Sequence, residues 1–146
     1  MVAYPIYAVR KIGNIPESFS ATYYLLKEKG WLFQMVMGLS GIFLLPVWIS
    51  VSDESMQYWA FLSCAGLLFT AAAPAFHLKL EGSVHYSAAV VCCVSALLWQ
   101  VLSGVWDITL LFSFVSLMLY LQWKQWCFWL EVAVMSSVIA NLWRLV

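Results

Sequence analysis

Charge is what this sequence has least of. Its 146 residues carry 7 Lys or Arg and 7 Asp or Glu, against 64% hydrophobic residues, with a mean hydropathy of +0.89. So few charges exclude an ordinary water-facing surface and place the chain among membrane proteins. The formal net charge is zero, so electrostatics suggest neither nucleic acid nor an acidic macromolecule as a partner. Cysteine is sparse too: Cys64, Cys92, Cys93 and Cys127 all lie in apolar stretches. Neighbouring Cys92 and Cys93 point about 100° apart on a helix, so they form no convergent pair. The four read as packing residues, which gives no disulfide framework or redox compartment. There is no Gly-rich phosphate loop, nucleophile elbow, internal repeat or low-complexity tract. The N-terminus lacks the apolar core and cleavage site of a signal peptide, and the first membrane span is expected to act as its own insertion signal.

What is abundant is apolar sequence in lengths near those that cross a hydrocarbon core of about 30 Å. Runs bounded by polar or turn residues give five spans, near 31–51, 56–76, 84–102, 106–122 and 127–145. The expected fold is an all-α bundle in a single membrane domain. Its connections are short: SDES, HLKLEGS, SG, and the KQ between Trp123 and Trp126. Neighbouring spans must therefore run antiparallel and touch. Under this topology Arg10, Lys11, Lys27, Lys29, Lys79 and Lys124 share one side, leaving Arg144 on the other. The positive-inside rule makes that side cytoplasmic and sends the C-terminus outside, as in a bacterial inner membrane. The tryptophans follow the same division. Trp31, Trp123, Trp126 and Trp129 fall near the inner boundary, and Trp48, Trp59, Trp99, Trp106 and Trp143 near the outer one.

Ahead of the first span, Asn14 to Lys29 reads as an interfacial amphipathic helix, with Pro16 and Glu17 early and Lys27 and Lys29 late. Within the spans, small residues recur at packing intervals: Gly38 and Gly41, Ala88 with Cys92 and Ala96, Ala133 with Ser137, and Ser136 with Ala140. They let helix backbones approach closely. Pro46 and Pro74 fall near span ends.

Polar chemistry is expected at the inner end. Glu131 lies a few residues inside the last span, where an unpaired carboxylate costs up to about 3 kcal/mol; it wants a partner or a proton. His77, Lys79, Glu81, His85, Gln34, Gln122 and the Ser20 to Tyr24 group fall on the same side and predict a polar vestibule. If Gly82-Ser83 turns the chain back, His77 and His85 flank a loop with Glu81 between them. His77, His85 and Glu131 are then candidate ligands of a divalent metal such as zinc, iron or manganese, and Glu81 and Glu131 are the candidate catalytic carboxylates. The weaker spacing, HxxxExxxH across a turn, matches no established metal signature. Asp107 reads as the N-cap of the fourth span.

The segment IPESFSATYYLL, followed by GWLFQMVMG, resembles the start of small multispan bacterial membrane proteins from Bacteroidetes and their phages. The resemblance covers about the first quarter of the chain and brings no activity with it. Three functions follow as expectations. The first is a non-enzymatic membrane component, an accessory subunit or homo-oligomer working in the lipid bilayer. The second is a metal-dependent hydrolase of lipid or a small amphiphile at the inner leaflet. The third is a small channel or transporter unit using Glu131, Gln100 and Asn141.

Overall fold

The computed structural model describes residues 3–75 and 79–146, with the side chains of residues 75 and 79–81 outside that description. The described chain is helical and contains no strand. Among the described residues, four helical stretches are long and apolar enough to cross a membrane: Lys27–Ser50, Gly82–Leu102, Trp106–Trp123 and Trp126–Leu145.

The chain opens with a helix that the sequence reading did not expect, α1 (Ala3–Ile12), whose inward face carries Tyr4 and Ala8. Pro5 falls in its first turn, where a missing N–H breaks no helical bond. Gly13, at φ 83°, closes α1 by donating its N–H to the Val9 carbonyl at 2.9 Å, a conformation in which any Cβ would be strained.

The helix expected over Asn14 to Lys29 is shorter. It begins only at α2 (Ala21–Leu25), followed by a 3-10 turn over Lys27–Lys29. Pro16 pushes Ile15 away from helical geometry. The backbone groups that an earlier start would have used are bonded elsewhere: the Glu17 carbonyl accepts from Phe128 N–H at 3.2 Å, and Phe19 N–H donates to Glu131. Tertiary bonds to the last helix displace local helix formation.

The bundle consists of α3 (Trp31–Ser50), α4 (Gln57–Ala72), α5 (Lys79–Leu102), α6 (Trp106–Trp123) and α7 (Trp126–Leu145). Helix α4 packs along both α3 and α5, α6 pairs with α7, and α7 joins the two groups through α5. The α3–α4–α5 layer closes tightly because α4 presents Gly66 to α5. A Cβ there would lie 2.7 Å from both the Ala88 carbonyl oxygen and the Cys92 Cβ. One turn back, the Ser63 hydroxyl donates to the Cys92 carbonyl at 3.0 Å. Ala88, Ala96, Ala133 and Ser137 are buried within the protomer, so these small-residue positions serve packing inside the chain.

Helix α5 also departs from expectation: it runs unbroken through Gly82 and Ser83. A single helical glycine costs about 1 kcal/mol, which the long packed helix outweighs. The chain does not turn back between Glu81 and His85. Both lie on α5, four residues apart and therefore on one face.

Two apolar clusters fill the bundle, one toward each end. The cluster at the end where the N-terminal segment docks unites Tyr4, Ala8, Phe19, Phe33, Met37 and Phe128. Its counterpart at the opposite end is built on Trp48 and Trp99, whose rings meet edge to face at 5.2 Å. These two indoles, assigned from sequence to the outer interface, are buried core residues. Trp99 donates its N–H to Ser52 at 2.8 Å. Trp31, Trp106, Trp123, Trp126 and Trp143 are exposed near helix ends, where an interfacial belt would place them.

Candidate functional site

The polar side chains of the bundle collect in two places. The first lies on α7, one and a half turns from its start and about 7 Å along its axis. Here Glu131 Oε2 accepts the Phe19 N–H at 2.6 Å. Three residues earlier on the same helix, the Phe128 N–H belongs to the first turn, whose N–H groups lack intrahelical partners, and donates to the Glu17 carbonyl. Together the two bonds clip residues 17–19 to α7. Phe19, held between them, packs on Tyr4, Phe33 and Phe128 with ring centroids 5.4, 6.0 and 6.4 Å away.

Other hydroxyls of the entry segment are also bound inward. Tyr4 and Thr22 share a hydrogen bond of 2.7 Å, and the Thr22 hydroxyl also donates to the Phe19 carbonyl at 2.6 Å. Burial raises the Tyr4 phenol above its ordinary value, against the Thr22 hydroxyl, which lowers it. Gln34 donates to the Ala71 carbonyl at 3.1 Å, in the last turn of α4, where carbonyls lack helical partners. The expected vestibule is thus replaced among these residues by an aromatic cluster with Glu131 set into it. Gln122 lies exposed on α6, outside that cluster.

Glu131 bounds two small cavities. One, of about 20 Å³, lies inside the bundle and is lined by Phe19, Ser20, Phe33, Thr70, Cys93 and their neighbours. The second, also about 20 Å³, lies toward α1, between Pro5 and the Ser136–Ile139 face of α7.

Of the four residues proposed for chemistry, Glu131 is placed fully. His77 and the Glu81 side chain lie outside the described residues. His85 is half-buried on α5, beside Tyr86 at 6.1 Å between ring centroids. It sits one turn from Ala89, which lines the inner cavity with Glu131. Among the described residues no three His, Cys, Asp or Glu side chains converge at metal-binding distance.

The second polar cluster joins α5, α6 and α7 near the opposite end. Gln100 Oε1 accepts from Thr109 at 2.7 Å and from the Asn141 amide at 2.9 Å. Gln100 and Asn141 are fully buried. The sequence points to both of them but not to Thr109, whose role depends on α6 crossing α5. Asn141 lies ten residues beyond Glu131, about 15 Å along α7; the three residues expected to line one path fall into separate clusters. Nearby on the surface, Asp107 pairs with Arg144 at 2.5 Å. It occupies a first-turn position rather than the N-cap, which is Val105.

Comparison with protein-family models, curated proteins and solved structures finds no match for this chain.

Proposed function

We propose that the chain is a five-span protein of a bacterial inner membrane, with its N-terminus cytoplasmic, working by association as an accessory subunit or homo-oligomer. The fifth span in this reading is α4. Its 16 residues cover about 24 Å, and a 3-10 turn over Ala73–Ala75 extends it. It runs against α3 and α5, both long enough to cross. Basic residues gather at the end holding α1 and the starts of α3, α5 and α7, which supports the orientation through the positive-inside rule.

The observation that carries the reading is how little of α6 is buried. Thr109 is its one buried residue, while Leu110, Phe114, Leu117 and Leu121 form an exposed apolar stripe at helical spacing. Loops between helices are short, so the flanks of the helices are the main surface available to a partner in the bilayer. A photo-crosslinking residue at Phe114 or Leu117 in native membranes should give a discrete protein adduct, homodimeric or with one partner. The same probe at Val94, exposed on α5, should not. If all three positions yield only lipid adducts, α6 faces lipid and the association reading fails. Reporter fusions after Lys11 and within residues 52–55 should report opposite sides of the membrane.

A further inference from the structure

Thr70 leaves a hydrogen bond unaccounted for. It sits in the last turn of α4 at 3% exposure, and its hydroxyl is buried without a partner among the described residues. Helical threonines commonly return the hydroxyl to a carbonyl one turn back; this one does not. Thr70 lines the inner cavity together with Glu131, so an unpartnered hydroxyl and a carboxyl share one small space. Its volume of about 20 Å³ exceeds the 10–15 Å³ that one water needs.

We infer that this cavity holds a single water bridging Glu131 to Thr70, and that the Glu131–water–Thr70 unit is a proton-binding site. The chemistry suits both protonation states, because water and hydroxyl can each reverse the direction of a hydrogen bond. With Glu131 ionised, Thr70 donates to the water and the water donates to the carboxylate. With Glu131 protonated, the acid O–H donates to the water, which donates to Thr70 Oγ1. The Phe19 N–H needs an acceptor in both states and keeps one. A valine at position 70 would offer neither direction.

The groups facing Glu131 are compatible with a proton as the guest. On α7 the neighbour is the Cys127 thiol, one turn back, and α5 contributes Cys92 and Cys93, with His85 one turn beyond Ala89. The entry segment contributes the Phe19 N–H and Ser20, α3 contributes Phe33 and Met37, and α1 contributes Pro5. Among the described residues no Lys or Arg forms an ion pair with Glu131. The cavity walls are mostly apolar, which disfavours a metal cation needing several oxygen ligands. The second cavity meets Glu131 from the α1 side, so the carboxyl borders both cavities.

Dicyclohexylcarbodiimide tests this in native membranes. It reacts with a protonated carboxyl in an apolar setting: the acid oxygen bonds to the carbodiimide carbon and the proton moves to nitrogen. Wild-type protein should form an adduct mapped by mass spectrometry to Glu131, strongest in acid, declining as pH rises and unaffected by sodium. Absence of that adduct at every pH overturns the proton site. Protection by sodium at fixed pH overturns it in favour of a metal cation. Thr70→Ser should keep the wild-type pH profile, while Thr70→Val should shift it. An unchanged profile in Thr70→Val removes the water bridge.

Discussion

At the scale of single residues, the bond between Glu131 and Phe19 separates what could be read from what could not. That a carboxyl inside the last span needs a partner follows from its depth alone. That the partner is a backbone N–H 112 residues earlier in the chain is visible only once the entry segment has folded against α7. Glu131→Gln keeps an acceptor for Phe19, whereas Glu131→Leu leaves that N–H unsatisfied at a cost of about 1–3 kcal/mol. Thermal unfolding in detergent should therefore rank wild type and Gln close together and Leu well below. Equal stability of Gln and Leu would show that the bond contributes little. Tyr4 supplies a pH dependence of known sign. Its phenol lies above the ordinary value of about 10 in the folded state, mainly through burial. The folded protein thus holds this proton more tightly than the unfolded chain. The stabilisation is complete below pH of about 10 and is lost as pH rises through the higher folded value. Protease cleavage between α1 and α2 should rise in strong base, and Tyr4→Phe should weaken that dependence.

At the scale of elements, apolar length located the four long helices to within a few residues, because each is bounded by residues that cannot stay in lipid. Boundaries set by other forces were not legible. The sequence around Gly82-Ser83 has turn character, yet α5 continues through it, since local propensity is smaller than the packing of a long helix. The entry segment failed in the opposite sense: good helical signals from Pro16 and Glu17 were overruled by bonds to α7. The α4–α5 crossing yields a sharp prediction. Gly66→Ala places a methyl within 2.7 Å of the α5 backbone, and such overpacking costs about 1–3 kcal/mol. Gly82→Ala, where the added Cβ meets nothing within 4 Å, should instead be neutral or stabilising by up to about 1 kcal/mol. Parallel unfolding curves would distinguish a tight crossing from a general intolerance of substitution in helices.

At the scale of the whole molecule, the bundle has a packed layer, α3–α4–α5, and an α6–α7 hairpin attached through α7. The small residues that recur at packing intervals are mostly consumed in that construction. Ala133 is 6% exposed, and Ala133→Leu should therefore destabilise the isolated protomer in dilute detergent by about 1–3 kcal/mol. A loss confined to oligomers, with the protomer unaffected, would give Ala133 an intermolecular role instead. The α6 stripe of Leu110, Phe114, Leu117 and Leu121 is exposed, and it was hidden in the sequence because apolar residues surround each span on all sides.

The sequence by itself determined the solvent, the all-helical class, the approximate limits of the long helices and the division of basic residues between the two ends. Each follows from one physical cost, that of placing charge or unpaired backbone in hydrocarbon, which is local and additive along a chain. Tertiary structure alone decided which helix is peripheral, which tryptophans are core, and that Glu131, Phe19 and Thr70 border one cavity. Those outcomes depend on which faces of separate helices meet. That choice is made by volume, close approach and hydrogen bonds between residues far apart in the chain, and no periodicity within a single span records it.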